Sequence, residues 1–208
     1  MLPHMLRART FTAGLTLVEL IVVIAINTLL MLVITFSIQS LYQQNAYTIA
    51  QSREIDNARR GLNELMRDAL EMVPAQDGTF PVVVREADRF GFFSDTDQDD
   101  GIEYVEFSYS GSSTLIKATH EPTGYPASYD LSTPDRVVTL SRYVQNQTQG
   151  TSTFFYYDDS GSLLGGGALL TDVHYVQARL IINVDPFRSP GGYTLRSSVA
   201  PRNLIENP

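Results

Sequence analysis

The chain has 208 residues, with 15 Lys and Arg against 23 Asp and Glu, a formal charge of -8, and one lysine, Lys117. An acidic, lysine-poor surface lacks the basic stripe that nucleic acid selects for, so nucleic acid is not an expected partner. Cysteine is absent, which excludes a disulfide staple and thiol chemistry.

Leu15 to Ile38 reads LTLVELIVVIAINTLLMLVITFSI, 24 residues in which Glu19 is the sole charge. As a helix this stretch spans about 36 Å, against about 30 Å for a bilayer core. The preceding MLPHMLRARTFTAG carries Arg7 and Arg9 and no acid, which holds that end in the cytoplasm and sends the rest across. Three arrangements compete for this stretch, the third of them implied by a family resemblance. A cleaved secretory signal has an apolar stretch of only about 7–15 residues and a small-x-small cut site, neither of which is found here. A plain single-span anchor explains the length but gives no reason for an acid one turn into the apolar run. In the third, the leader ends at Gly14 and the helix behind it is retained.

The order GLTLVELIVVIAI, Gly14 to Ile26, closely resembles the type IV prepilin family, and the likeness extends from residue 14 to about 40. The resemblance implies a leader, residues 1–14, cut after Gly14 by a prepilin peptidase/methyltransferase that also N-methylates Leu15. It implies that Glu19 serves assembly and that the partners are other pilin or pseudopilin subunits and an assembly platform in the membrane, with the bilayer as host beforehand. The expected location is the cytoplasmic (inner) membrane, single-pass with the head outside the cytoplasm, and then a pilus or pseudopilus. Whether translation starts at Met1 or Met5 stays open. Losing Arg7 and Arg9 with the leader takes the charge from -8 to -10. Two features common among relatives are missing: a C-terminal disulfide and a proline about twenty residues past the cut.

The helix is expected to continue through residues 39–73, which contain no proline, until Pro74 stops it. Ile55, Ala58, Leu62, Leu65, Met66, Ala69 and Val73 recur at three- and four-residue spacing and form one apolar face. Gly61 within it weakens the helix by about 1 kcal/mol relative to Ala. The four segments expected are thus a leader (1–14), a transmembrane and assembly helix (15–38), its amphipathic continuation (39–73) and a β-rich globular head (74–208).

Strands are expected at Val82–Arg85, Asp88–Phe93, Ile102–Tyr109, Thr114–Thr119, Arg136–Val144, Thr153–Tyr157, Val173–Val184 and Tyr193–Val199, separated by Gly-, Ser-, Asn- and Asp-rich turns. Strands following one long helix, without βαβ alternation, predict an α+β fold of pilin-like form. One helix, about 15–73, packs its C-terminal half on an antiparallel sheet. Residues 120–135, with no period, read as a long surface connection. Residues 136–140, 154–161, 176–182 and 193–204 resemble minor pilins and the J-type minor pseudopilin of type II secretion. That likeness favours a minor over a major subunit.

No sequence signature of an enzyme is found: His4, His120 and His174 are far apart, and no nucleophile elbow, zinc-protease, P-loop or dinucleotide spacing occurs. The one acidic constellation is DTDQDDG at 95–101, followed by Glu103 and Glu106. Alternate carboxylates on a tight loop gather hard, oxygen-seeking calcium, and Glu106 falls at the twelfth place from Asp95. Asp95, Asp97, Asp99 and Glu106 are therefore the candidate calcium ligands. Asp100 stands where an EF-hand needs glycine, so a solvated hairpin turn remains the alternative.

Overall fold

The computed structural model describes residues 14, 16–99, 101–188 and 191–205. Leu15 and the leader before Gly14 lie outside the described residues. The chain forms two compact units, Met1–Tyr47 and Thr48–Pro208. The long helix α1, Leu17–Leu70, contributes to both. It has 54 residues.

From Leu17 to Ile38, within the first unit, α1 is apolar on every side and exposed, with Leu17, Ile24, Leu29, Met31 and Phe36 each more than half accessible. This stretch is long and apolar enough to cross a membrane. Four of its polar side chains bond to the helix's own backbone. The Asn27 amide donates to the Val23 carbonyl at 3.1 Å, and Thr28, Thr35 and Ser37 donate to carbonyls four residues back.

In the second unit α1 is amphipathic, burying Ala58, Leu62, Leu65 and Ala69, with Ile55 and Met66 partly buried against the same core. The helix stops at Leu70 rather than at Val73. Met72 and Val73 leave it to join a sheet edge, where Met72 bridges Ser94 and the Val73 amide donates to the Phe93 carbonyl.

The fold is α+β. A five-stranded antiparallel sheet holds β1 (Val82–Arg85), β2 (Phe90–Ser94), β3 (Glu103–Ser110), β4 (Thr114–His120) and β5 (Arg136–Ser141), in that order. A separate three-stranded antiparallel sheet holds β6 (Phe154–Tyr157), β7 (Tyr175–Ile182) and β8 (Tyr193–Val199). A 3-10 turn at Leu170–Asp172 precedes β7, and a short helix α2, Arg202–Ile205, follows β8. Phe90, Phe92, Val105 and Phe107 of the first sheet, Val176, Ala178, Leu180 and Ile182 of the second, and the apolar stripe of α1 form one core.

The antiparallel strands expected from sequence are divided between these two sheets. The run expected as one strand to Val144 ends at Ser141, and Tyr143 takes a left-handed φ of 56°. Val144 then bridges Ile182 in the other sheet. The change falls at Arg142 and Tyr143, both exposed, between buried Ser141 and buried Val144.

Candidate functional site

Two places hold the residues singled out from the sequence. At the first, the start of α1, Thr16 precedes the helix and Glu19 sits in its first turn. The Glu19 amide faces the Thr16 hydroxyl at 3.3 Å, while the Glu19 carboxylate faces the Thr16 amide and hydroxyl at 3.4 Å. These are long contacts, but their pattern is that of a capping box, with Thr at the cap and Glu three residues on. The T-x-x-E spacing was visible in the sequence and carries this local role. Gly14 is exposed, and a Cβ placed on it would meet no described residue within 4 Å.

The second place is the loop between β2 and β3. Three Asp side chains shape it by accepting backbone amides: Asp95 from Gln98 at 2.7 Å, Asp97 from Asp99 at 3.2 Å and Asp99 from Gly101. Such turns are what short carboxylate side chains do locally, and Gln98 takes a φ of 63° within them. Asp95, Asp97 and Asp99 come together with Glu103, not with Glu106.

The displacement of Glu106 from the expected ligand set has a simple cause. Counting twelve from Asp95 presumes a helix after the loop, whereas β3 follows directly, and successive side chains of a strand point to opposite faces. Glu103 pairs across from Ser94 at the neck of the loop, on the face that buries Val105 and Phe107. Glu106, an odd number of residues further, lies on the other face opposite Gly91. There its carboxylate accepts two hydrogen bonds from Arg89, both at 2.7 Å, and one from the Tyr104 hydroxyl at 2.8 Å. Burial would raise the Glu106 carboxyl, but Arg89 and Tyr104 outweigh it and hold it below its ordinary value. Gly91 makes room for this arrangement, since a Cβ there would lie 2.2 Å from the Tyr104 hydroxyl oxygen.

Glu103 is fully buried. Its Oε2 accepts from the Thr96 amide at 2.6 Å and the Thr96 hydroxyl at 3.0 Å. Burial, with Asp97 and Glu121 adding to it, pushes its carboxyl above the ordinary range despite those bonds. His120 and His174 each turn Nδ1 toward a backbone carbonyl, of Asp130 at 2.7 Å and Asp172 at 3.1 Å. A groove of about 460 Å³ beside Gly61 is lined by Glu54, Asn57, Arg60, Glu64, Ser141 and Arg142 among others, a mixture of charges around no histidine.

No protein-family model matches the chain, and no curated protein matches it significantly.

Proposed function

We propose that the chain is a structural subunit of the minor pilin or minor pseudopilin class, processed after Gly14, N-methylated at Leu15 and assembled into a type IV pilus or type II secretion pseudopilus. Its work is packing rather than catalysis. The observation that carries the reading is α1 itself. One unbroken helix is apolar and exposed on all sides over its first part, with Glu19 as the only charge there, and becomes amphipathic where it enters the core of the second unit. A bilayer satisfies the first part before assembly, and neighbouring copies of similar helices satisfy it afterwards. In the filament, Glu19 pairs with the α-amino group that cleavage frees on Leu15, on the same or an adjacent subunit. Methylation leaves that amine cationic. The partners are then the prepilin peptidase/methyltransferase, other subunits and the membrane assembly platform.

A second reading is favoured by the Thr16–Glu19 contacts. A capping box gives Glu19 a local task that a monomeric, membrane-anchored ligand-binding protein would also use. N-terminal sequencing of the membrane-fraction protein separates the two. The pilin reading requires a methylated N-terminus at Leu15 and an uncut chain for Gly14→Val. A wild-type chain that still begins at Met1 or Met5 overturns it. Because no described residue packs where that Cβ would be, Gly14→Val probes the protease and not the fold.

A further inference from the structure

The β2–β3 loop gathers more negative charge than its surroundings neutralise. Asp95, Asp97, Asp99 and Glu103 each offer one carboxylate oxygen, and the four oxygens lie within 4.8 Å of one another. Glu121 is close enough that Asp97 and Asp99 add to the effect of burial on its carboxyl. The ion pairs among the described residues lie elsewhere, at Arg67, Arg89, Lys117 and Arg188.

An exposed acidic turn is ordinary by itself, and Glu103 is what distinguishes this one. Its side chain is fully buried, its Oε2 is held by Thr96, and its Oε1 is buried with no hydrogen-bond partner. A buried carboxylate oxygen left without donor or cation is costly, and native folds rarely leave one so. Glu103 is fixed by its pairing with Ser94 at the neck of the sheet, while the three aspartates reach it from the loop.

We propose that this loop is a calcium site in which Asp95, Asp97, Asp99 and Glu103 hold one Ca²⁺, with the unpartnered Oε1 of Glu103 as a ligand. The donors are all hard oxygens, which excludes the soft metals that prefer sulfur or imidazole. Calcium–oxygen distances of about 2.3–2.6 Å place opposite ligands about 4.6–5.2 Å apart, and the observed spread of four oxygens fits within that sphere. Magnesium demands a near-ideal octahedron about 4.0–4.2 Å across, which three turn-bound aspartates and one fixed glutamate match less well. Each aspartate already spends one oxygen contact on a loop amide, so the loop is shaped before the ion arrives. The ion would replace mutual repulsion at the neck with a bridge from loop to strand. This assignment stands independently of the pilin reading, because it rests on the head alone.

The test uses the full chain in detergent micelles, with thermal unfolding followed in EGTA, in millimolar CaCl₂ and in millimolar MgCl₂. A hundredfold excess of Ca²⁺ over Kd raises Tm by roughly 5–10 °C for a chain of this size, and Mg²⁺ raises it less. Asp97 and Asp99 are exposed, so Asp97→Asn/Asp99→Asn folds and loses the calcium shift. Glu103→Gln is expected to melt in EGTA at or above the wild-type temperature, having shed a buried charge, and to lose the shift as well. Direct titration calorimetry with CaCl₂ should give one ion per chain for the wild type and none for either variant. A wild-type Tm indifferent to calcium, an equal response to Mg²⁺, or a full calcium shift in either variant overturns the assignment.

Discussion

The ammonium of Lys117 lies 2.6 Å from Oδ2 of Asp68 and 3.1 Å from Oε1 of Glu64, so the one lysine of the chain is buried under α1 from its place on β4. Asp68 is almost wholly buried, and its other oxygen faces Arg67 at 3.2 Å. Removing one member of such a pair leaves the other charge stranded, at a cost of about 3–5 kcal/mol. Lys117→Met should therefore lower the stability of the head by about 3 kcal/mol in urea unfolding. Lys117→Met/Asp68→Leu should recover most of that loss. A double variant as unstable as the single one would mean that the pair contributes more than it costs to bury.

Gly61 faces β5 so closely that a Cβ on it would lie 2.8 Å from the Cβ of Leu140 and 3.2 Å from its carbonyl oxygen. Gly61→Ala gains about 1 kcal/mol of helix propensity and meets an overpacking penalty of about 1–3 kcal/mol. Backbone and a Cβ are the obstacles, and neither swings aside as the end of a flexible side chain does. The expected net result is a loss of about 1 kcal/mol and a lower Tm. A more stable Gly61→Ala would show that α1 seats further from β5.

The lowered carboxyl of Glu106 makes a pH prediction. A carboxyl whose folded value lies below its unfolded one contributes stability that is present above the unfolded value, about 4.3, and is lost as pH falls through the folded value. With Arg89 partly exposed, the contribution is on the order of 1 kcal/mol. Wild type should exceed Glu106→Gln by about that much at neutral pH, and the gap should close only below about pH 4. Melts of both proteins across that range check it, and a gap that persists undiminished to about pH 2 would contradict it.

For Glu19 the two roles separate by substitution. Glutamine fills the last place of a capping box as glutamate does but carries no charge. Under the assembly reading, Glu19→Gln is inserted and cut at Gly14 yet is depleted from sheared filaments. Glu19→Ala behaves the same and also loses about 1 kcal/mol at the helix start. Comparing cleaved protein in sheared and membrane fractions distinguishes the outcomes. Wild-type incorporation of Glu19→Gln, with failure of Glu19→Ala, would reduce Glu19 to a cap.

The apolar run and the 3.6-residue stripe made α1 legible, and all eight strands were visible because alternation and turn chemistry are local signals. Long-range side-chain replacements of strand partners were not. The Gln51 side chain donates to the Ile182 carbonyl at 2.8 Å and accepts from the Val184 amide at 2.9 Å, standing in for a neighbouring strand. Asn146, fully buried, does the same with Arg179 and Ile181. Nothing within a few residues of either marks it, since each partner is more than thirty positions away. In the acidic loop the three aspartates were legible from spacing. That Glu103 rather than Glu106 clusters with them was not, since choosing between the two requires knowing which face of β3 turns inward.

The left-handed turn at Tyr143 bears on how the head comes apart. Just past it, the Val144 amide donates to the Ser113 carbonyl in the β3–β4 hairpin, and the Gln145 amide donates to the Ile181 carbonyl in β7. The Asn183 amide returns to the Tyr143 carbonyl. Three consecutive residues thus stitch one sheet to the other, so neither can fray without loosening its neighbour. Amide protons in the centre of β4 and of β7 should then exchange with solvent only through the same global opening.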